Sequence, residues 1–493
     1  MWVVAGIGAL IRIRQFASGR SLWMDEALVA NDISERTPFD LLTSPSPRGQ
    51  MAPAGFWIVE KAAFALSPSA EALRLFPLLA GLAMVGLSVW YAERHLRSFP
   101  ARLALVASIS LSPSLIHYSA ETKQYVLEAL VTLMLTFAAA SRARLHLWQL
   151  TLIGVVALLF SIPALVLVPL LAMLYAFESV ADRGLAEATH RLGPAAVILG
   201  ASQAAASAFV LGVRLRLEDF WSAADAYMPL PTSPEGVGWL ARTGSRTVWF
   251  AYYHLGIITR PPQDPLDNPL WVVTALALLV VCVVGIGLAS KAAWRASRPL
   301  WQDPAGAVFV MGTVIVAVML VLSWQRTYPF HGRLSIYLFP LLFIVLAHAV
   351  DSIHDRFPRG AVVAGTAIAI LAVPSAAGIF VKPYDRFDVV EALGWIEGRP
   401  QPGDVIVYSP AAAGEVFRFH RGEFDFGATA FRHYDGLDGD ELAPLADGNT
   451  VWYFLPFVTA RNDQWVDDLL NDERVIDWWR GDGAVALAIR PNS

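Results

Sequence analysis

The sequence predicts a mainly α-helical polytopic membrane protein of about 11 transmembrane helices, with a small C-terminal α/β domain outside the membrane. Three observations lead there. The 493 residues are 56% hydrophobic and only 16% charged, with a mean hydropathy of +0.49, too apolar for a soluble chain of that length. Apolar runs approaching the ~20 residues needed to cross a bilayer recur along most of the chain. After "VKPYDRF" the pattern changes to short β-rich runs alternating with amphipathic stretches.

The apolar runs place spans at 2–13, 72–91, 103–116, 125–140, 148–162, 163–177, 194–213, 270–289, 305–324, 334–350 and 361–380. The first is short and meets Arg12 and Arg14, so either the chain begins upstream or this helix sits shallowly. No cleavable signal-peptide pattern is seen. With the N-terminus in the cytoplasm, every inner loop is basic: Arg94, Arg97 and Arg102; Arg142 and Arg144; Arg183 and Arg191; Lys291, Arg295 and Arg298; Arg356 and Arg359. The run 148–177 is interrupted at Ser161-Ile162-Pro163. Reading it as one span would invert everything after it and spoil the basic pattern, so it is taken as a tight hairpin. This topology describes a multi-pass plasma (inner) membrane protein with a cytoplasmic N-terminus. A net charge of -5 and scattered basic clusters argue against nucleic acid as a partner. The lone Cys282 excludes an internal disulfide framework and a cysteine-based metal site.

Three segments of mixed composition remain on the outer side: 15–71, 214–269 and the tail. The chain divides at 1–381 and 382–493. In the tail "DVIVYSP", "TVWYFLP" and "AVALAIR" read as buried strands, and "DRFDVVEALGWIEG", "AAGEVFRFHRG" and "DQWVDDLLND" as helices. The acidic "YDGLDGDELAPLADG" lacks the alternating ligands and terminal Glu of a calcium loop and reads as solvated. "TSPSPRGQMAP" is a Pro-rich bend in the first outer segment.

Ionisable residues near hydrocarbon are costly unless paired or facing an aqueous cavity, and here they gather on one side. Asp25 and Glu26 open "DEALVANDISER", a modestly amphipathic stretch expected along the outer membrane face with Leu28, Val29 and Ile33 toward lipid or protein. Taken alone, they also suit a helix's first turn. Glu121 lies in the short outer loop "SPSLIHYSAETKQY", followed by Lys123 and Tyr125, where a Glu121/Lys123 ion pair is the plainer reading. "SWQRTYPFHGRLSIY" brings Arg326, His331 and Arg333 outside the membrane, against the usual bias. Snorkelling arginines would explain it, as would anion binding, since Arg offers a donor fork suited to phosphate. Together these groups suit a reaction in which a carboxylate accepts a hydroxyl proton and cations stabilise a departing phosphate.

These residues resemble the membrane-embedded GT-C glycosyltransferases, in particular the protein O-mannosyltransferase and lipid A aminoarabinose transferase branch. "LWMDEALVA" looks like that family's first-loop Asp-Glu motif, and "RIRQFASGRSLWMDEA" has the usual spacing to it from an Arg-bearing first-span end. "EALRLFPLLAG", with Arg74, is similar to the pattern leading into the second span. "SPSLIHYSAETKQYVL" resembles the Tyr-Ser-Gln-Glu-Ala-Arg-x-Tyr segment, with Ala120 for Gln and Lys123 for Arg. "HGRLSIYLFPLL", which holds Tyr337, resembles the Arg-Tyr element before a late span, with Leu334 in place of Tyr. "MAPAGFWIVEKAAF" departs more, with Met51 replacing a His and Ala52 a Pro.

The resemblance implies inverting transfer of a sugar from a polyprenyl-phosphate-linked donor to a glycan, lipid or protein acceptor on the outer face. Asp25 would be the general base. Glu26 and Glu121 would shape the acceptor site or hold a divalent ion, for which Asp25, Glu121 and His331 are the candidate ligands. Lys123, Arg326, His331 and Arg333 would serve the donor phosphate, with Tyr125, Arg74 and Tyr337 in support. A lipid-linked glycan flippase is the first competing reading, but transporters place essential charges near the midplane of broken helices, and the spans here are nearly free of charge. A non-catalytic sugar-lipid-binding protein is the second.

Overall fold

The computed structural model describes residues 1–215, 283, 287, 290, 300–324, 332–384, 387–409, 413–426, 430–433, 449–456, 458 and 463–490. It divides into two compact units. One comprises Met1–Ala17, Pro38–Ala63 and Arg74–Pro383; the other comprises Ser18–Thr37, Phe64–Leu73 and Tyr384–Ser493. A single cut at 381/382 leaves 18–37 and 64–73 with the membrane portion, whereas in the structure they fold with the tail.

The first unit is helical. Its elements are α1 (Trp2–Phe16), then α3 (Pro38–Thr43), α4 (Ala54–Leu66), α5 (Ala70–His95), α6 (Phe99–Leu111), α7 (Pro113–Tyr118) and α8 (Tyr125–Ser141); α2 belongs to the other unit. There follow α9 (Leu147–Phe160), α10 (Ala164–Arg183), α11 (Leu185–Leu215), α12 (Pro304–Trp324), α13 (Phe339–His354) and α14 (Pro358–Val381). Among the described residues, seven helices are long and apolar enough to cross a membrane, and α6 and α9 are shorter apolar helices. The span expected at 270–289 lies outside the described residues except for isolated positions.

The span expected at 103–116 is two helices, and the reason is chemical. Pro113 has no N–H to give the Ile109 carbonyl, so the ladder breaks at Ser112. Arg12 supplies the missing donors: its guanidinium reaches Ile109 O at 2.8 Å and Ser110 O at 2.7 Å, besides Gly8 O at 3.0 Å. The residue is fully buried. Gly8 lets α1 approach, since a Cβ there would stand 2.5 Å from the Ser110 side chain. An arginine that looked like the end of a short span is therefore a buried clasp.

The interruption at 161–163 separates α9 from α10 as the hairpin reading requires, and Glu128 of α8 accepts the Ile162 N–H at 3.3 Å. A buried carboxyl thus satisfies a backbone donor that the break would otherwise orphan. One apolar cluster joins Leu135 of α8, Leu150 and Ala157 of α9, Leu167 and Leu171 of α10, Met311 and Ile315 of α12, and Leu341 of α13. Helix α8 is the most enclosed of the candidate spans, and α11 the least. The run expected at 334–350 starts as a 3-10 segment, Gly332–Leu338, and becomes α-helical at Phe339.

The second unit is built on a five-stranded mixed sheet of order β2-β1-β3-β5-β4. Its tail elements are α15 (Val389–Ile396), β1 (Val405–Tyr408), α16 (Ala413–His420), β2 (Ala430–His433), β3 (Val451–Leu455), α17 (Asp463–Leu470), β4 (Val475–Arg480) and β5 (Val485–Ile489). Strand β1 runs parallel to both neighbours, so each is reached by a crossover; β3–β5 and β5–β4 are antiparallel. The three strands and three helices read from the sequence are all present. Strands β2 and β4 were not legible. Both are edge strands, and "VIDWWR" is mostly exposed, so neither shows the apolar run of β1, β3 and β5.

Candidate functional site

The expected site residues fall in both units, and each part is described by itself. In the sheet-containing unit, α2 (Met24–Glu35) carries the two acids in its first turn. Trp23 is the N-cap, and Glu26, at the third helical position, turns back to accept the Trp23 N–H at 3.4 Å. Its carboxylate also lies 3.5 Å from the Arg20 guanidinium, both side chains being buried. Glu26 is thereby tied to holding the helix start. Asp25 stands one position earlier, at the limit of burial, with 9% exposure against 0% for Glu26.

Of the stripe expected toward lipid or protein, Leu28 is half-buried and the other two are enclosed by protein. Val29 and Ile33 are buried, and α2 packs on α16: Asn31 Nδ2 donates to Glu415 O and to Glu415 Oε2, both at 2.8 Å. Arg418 and Glu35 form a longer pair at 3.6 Å. Just before the helix, Ser21 Oγ accepts the Val390 N–H at 3.0 Å. The Phe64 and Phe419 rings meet at 6.3 Å between centroids. Buried polar groups of this kind need partners, and these find theirs on the tail.

In the helical unit, the stretch from Ser112 to Tyr125 and the bend around Gln50 form the second part. Glu121 is buried and takes His117 as partner, Nε2 to Oε1 at 2.9 Å. The two are four residues apart, a spacing that the sequence shows and that the ion-pair reading with Lys123 passed over. Lys123 is buried too, and its ammonium donates to Gln50 Oε1 at 2.6 Å. Gln124 Nε2 donates to the Met51 carbonyl at 3.1 Å, so this loop and the Pro-rich bend are stitched at consecutive residues. Met51, where the resembling family carries a His, contributes its backbone here.

Tyr125 is buried at the start of α8, its ring edge-on to Tyr118 at 5.3 Å. Tyr337, in the 3-10 segment, is buried in the cluster around α8, while Arg333 at its start is half-buried. Arg74 is buried in α5. Arg326 and His331 lie outside the described residues, as does the acidic loop 434–448. Sequence reading missed Gln50, His117, Asn31 and Glu415 as partners. It also missed Glu60 on α4, whose carboxyl is fully buried, has no hydrogen bond among the described residues, and is pushed well above the usual carboxylate range by burial.

Among the described residues no group of three or more His, Cys, Asp or Glu side chains is placed to hold a metal ion. His331, one of the three candidate ligands, lies outside the described residues. What the two parts contain is a carboxylate in a helix's first turn, a second carboxylate hydrogen-bonded to histidine, and a lysine held by an amide.

No protein-family model and no curated protein matches the sequence. Among solved structures, the chain is similar to ArnT from Cupriavidus metallidurans in the apo state, at 13% identity and a TM-score of 0.39 over 99% of this chain and 97% of that one. The same protein bound to undecaprenyl phosphate gives 14% identity and a TM-score of 0.39 over 99% and 98%. The oligosaccharyltransferase of Archaeoglobus fulgidus, in complex with Zn and sulfate, gives 14% and 0.46 over 91% and 67%.

Proposed function

We propose that the protein is an inverting membrane glycosyltransferase that moves a hexosyl or pentosyl group from a polyprenyl-phosphate-type lipid donor to a glycan, lipid or protein acceptor. The reaction would occur on the outer membrane face, with the N-terminus cytoplasmic and the C-terminal unit extracytoplasmic. The observation that carries this reading is the burial of Asp25, Glu121 and Lys123. Burying ionisable groups is expensive, so such groups mark sites where charge is used.

In the proposed step the acceptor hydroxyl oxygen attacks the anomeric carbon while the bond from that carbon to the phosphate oxygen breaks. The hydroxyl proton passes to the Asp25 carboxylate, and the bonding pair leaves with the polyprenyl phosphate. Attack opposite the leaving group inverts the anomeric centre. Lys123, Arg333, Arg326 and His331 would stabilise the phosphate charge that grows as the bond breaks. Glu121, oriented by His117, would bind acceptor hydroxyls; Tyr125, Arg74 and Tyr337 would line the donor.

Purified protein in liposomes, given polyprenyl-phosphate-linked sugars and an extract of acceptors, should release polyprenyl phosphate. Asp25→Asn should lower kcat by about 10²-fold or more, as expected for loss of a general base, with unchanged insertion. Wild-type turnover in Asp25→Asn would overturn the assignment.

A further inference from the structure

We infer that the C-terminal α/β unit is the mount that sets the pose of Asp25, with Asn31 and Glu415 as its positioning residues. The inference rests on the proposed role of Asp25. Helix α2 is clamped beyond both sides of its first turn. Ahead of it, Ser21 Oγ holds the Val390 N–H at the start of α15. Behind it, the Asn31 amide donates twice to Glu415, once to the backbone carbonyl and once to the carboxylate, and Arg418 pairs with Glu35. The Asn31 amide is buried, and its contacts span residues 384 apart in sequence.

A 12-residue helix is one stiff rod about 18 Å long. Fixing it at its C-terminal half and just before its first turn leaves Asp25 no independent freedom of direction. Glu26 completes the device by closing the first turn onto Trp23 and Arg20. The acid is therefore aimed by the tail, and the tail's contribution to turnover is geometric. A general base displaced by about 1 Å loses about 10²-fold in rate without any change in substrate contacts. The signature is a fall in kcat at constant KM for donor and acceptor.

The test uses full-length protein in liposomes and reverses the polarity of one hydrogen bond. Asn31→Asp puts two carboxylates together and opens the latch; adding Glu415→Gln restores a donor–acceptor pair with the donor on the other side. Asn31→Asp should lower kcat about 10- to 100-fold at unchanged KM and speed amide hydrogen exchange across 24–35. The double variant should recover part of both, since the bond to the Glu415 backbone carbonyl stays lost. Ser21→Ala, which loosens the opposite end, should give a milder kcat loss. Wild-type kcat in Asn31→Asp, a loss expressed in acceptor KM, or a double variant no better than the single would each overturn the mount. Asp25→Asn assayed in parallel isolates the underlying reading. If that variant turns over normally, the catalytic assignment fails, and hydrogen exchange alone still decides whether the latch orders α2.

Discussion

The two adjacent acids, one proposed as the base and one closing the helix start, make a sharp prediction. Glu26→Gln should destabilise the sheet-containing unit while Asp25→Asn should not. The glutamine keeps an oxygen for the Trp23 N–H, so the helix cap survives; what is lost is the negative charge 3.5 Å from Arg20. Removing one member of a buried ion pair costs about 3–5 kcal/mol because the remaining charge stays desolvated. The 3.5 Å separation favours the lower end, about 3 kcal/mol, which corresponds to a midpoint lowered by about 10 °C for a unit of this size. Glu26→Ala loses the cap as well and should cost about 1 kcal/mol more. Thermal unfolding in detergent, followed by tryptophan emission to include Trp23, measures both. The double variant Arg20→Met/Glu26→Gln should regain stability, since it leaves neither member of the pair as an unpaired buried charge. Equal melting of Glu26→Gln and wild type, or a larger loss in Asp25→Asn, would refute this division of labour.

Two further predictions concern the helical unit. Arg12→Met removes three hydrogen bonds to carbonyls and orphans Ile109 O beside the Pro113 break; with about 1–3 kcal/mol for each unsatisfied buried acceptor, a loss of about 2–4 kcal/mol should appear in detergent unfolding, and an unchanged midpoint would contradict the clasp. Glu60 predicts a pH effect. Burial raises its carboxyl well above the ordinary 4.5, so the folded chain keeps a proton that the unfolded chain releases. Stability then falls as pH rises from about 4.5 toward the folded value, by at most about 1.4 kcal/mol per pH unit. Glu60→Gln removes that slope: its midpoint relative to wild type should climb between pH 5 and 8, and parallel profiles would show that Glu60 is not desolvated.

What the sequence disclosed follows physical range. The break at Ser161–Pro163 and strands β1, β3 and β5 depend on local apolar runs, and local pattern suffices for them. Arg12 was misplaced because its partners are carbonyls some 97 and 98 residues away, exposed by a proline that reads as ordinary loop punctuation. Edge strand β4 is mostly exposed, and β2 is only four residues long. The acid helix shows the same limit more instructively. Its amphipathic stripe of Val29 and Ile33 announces burial against something apolar, but periodicity does not say whether that is lipid or protein. The deciding residue is Asn31, a polar side chain inside the buried surface, whose amide would be costly against hydrocarbon and finds two oxygens on Glu415. Asn31 stands two residues from each of Val29 and Ile33, on the opposite side of the helix, so a polar residue buried on the face away from the apolar stripe is the mark of a protein partner. Applied to "DEALVANDISER", it assigns the helix to the tail and makes the tail part of the proposed chemistry.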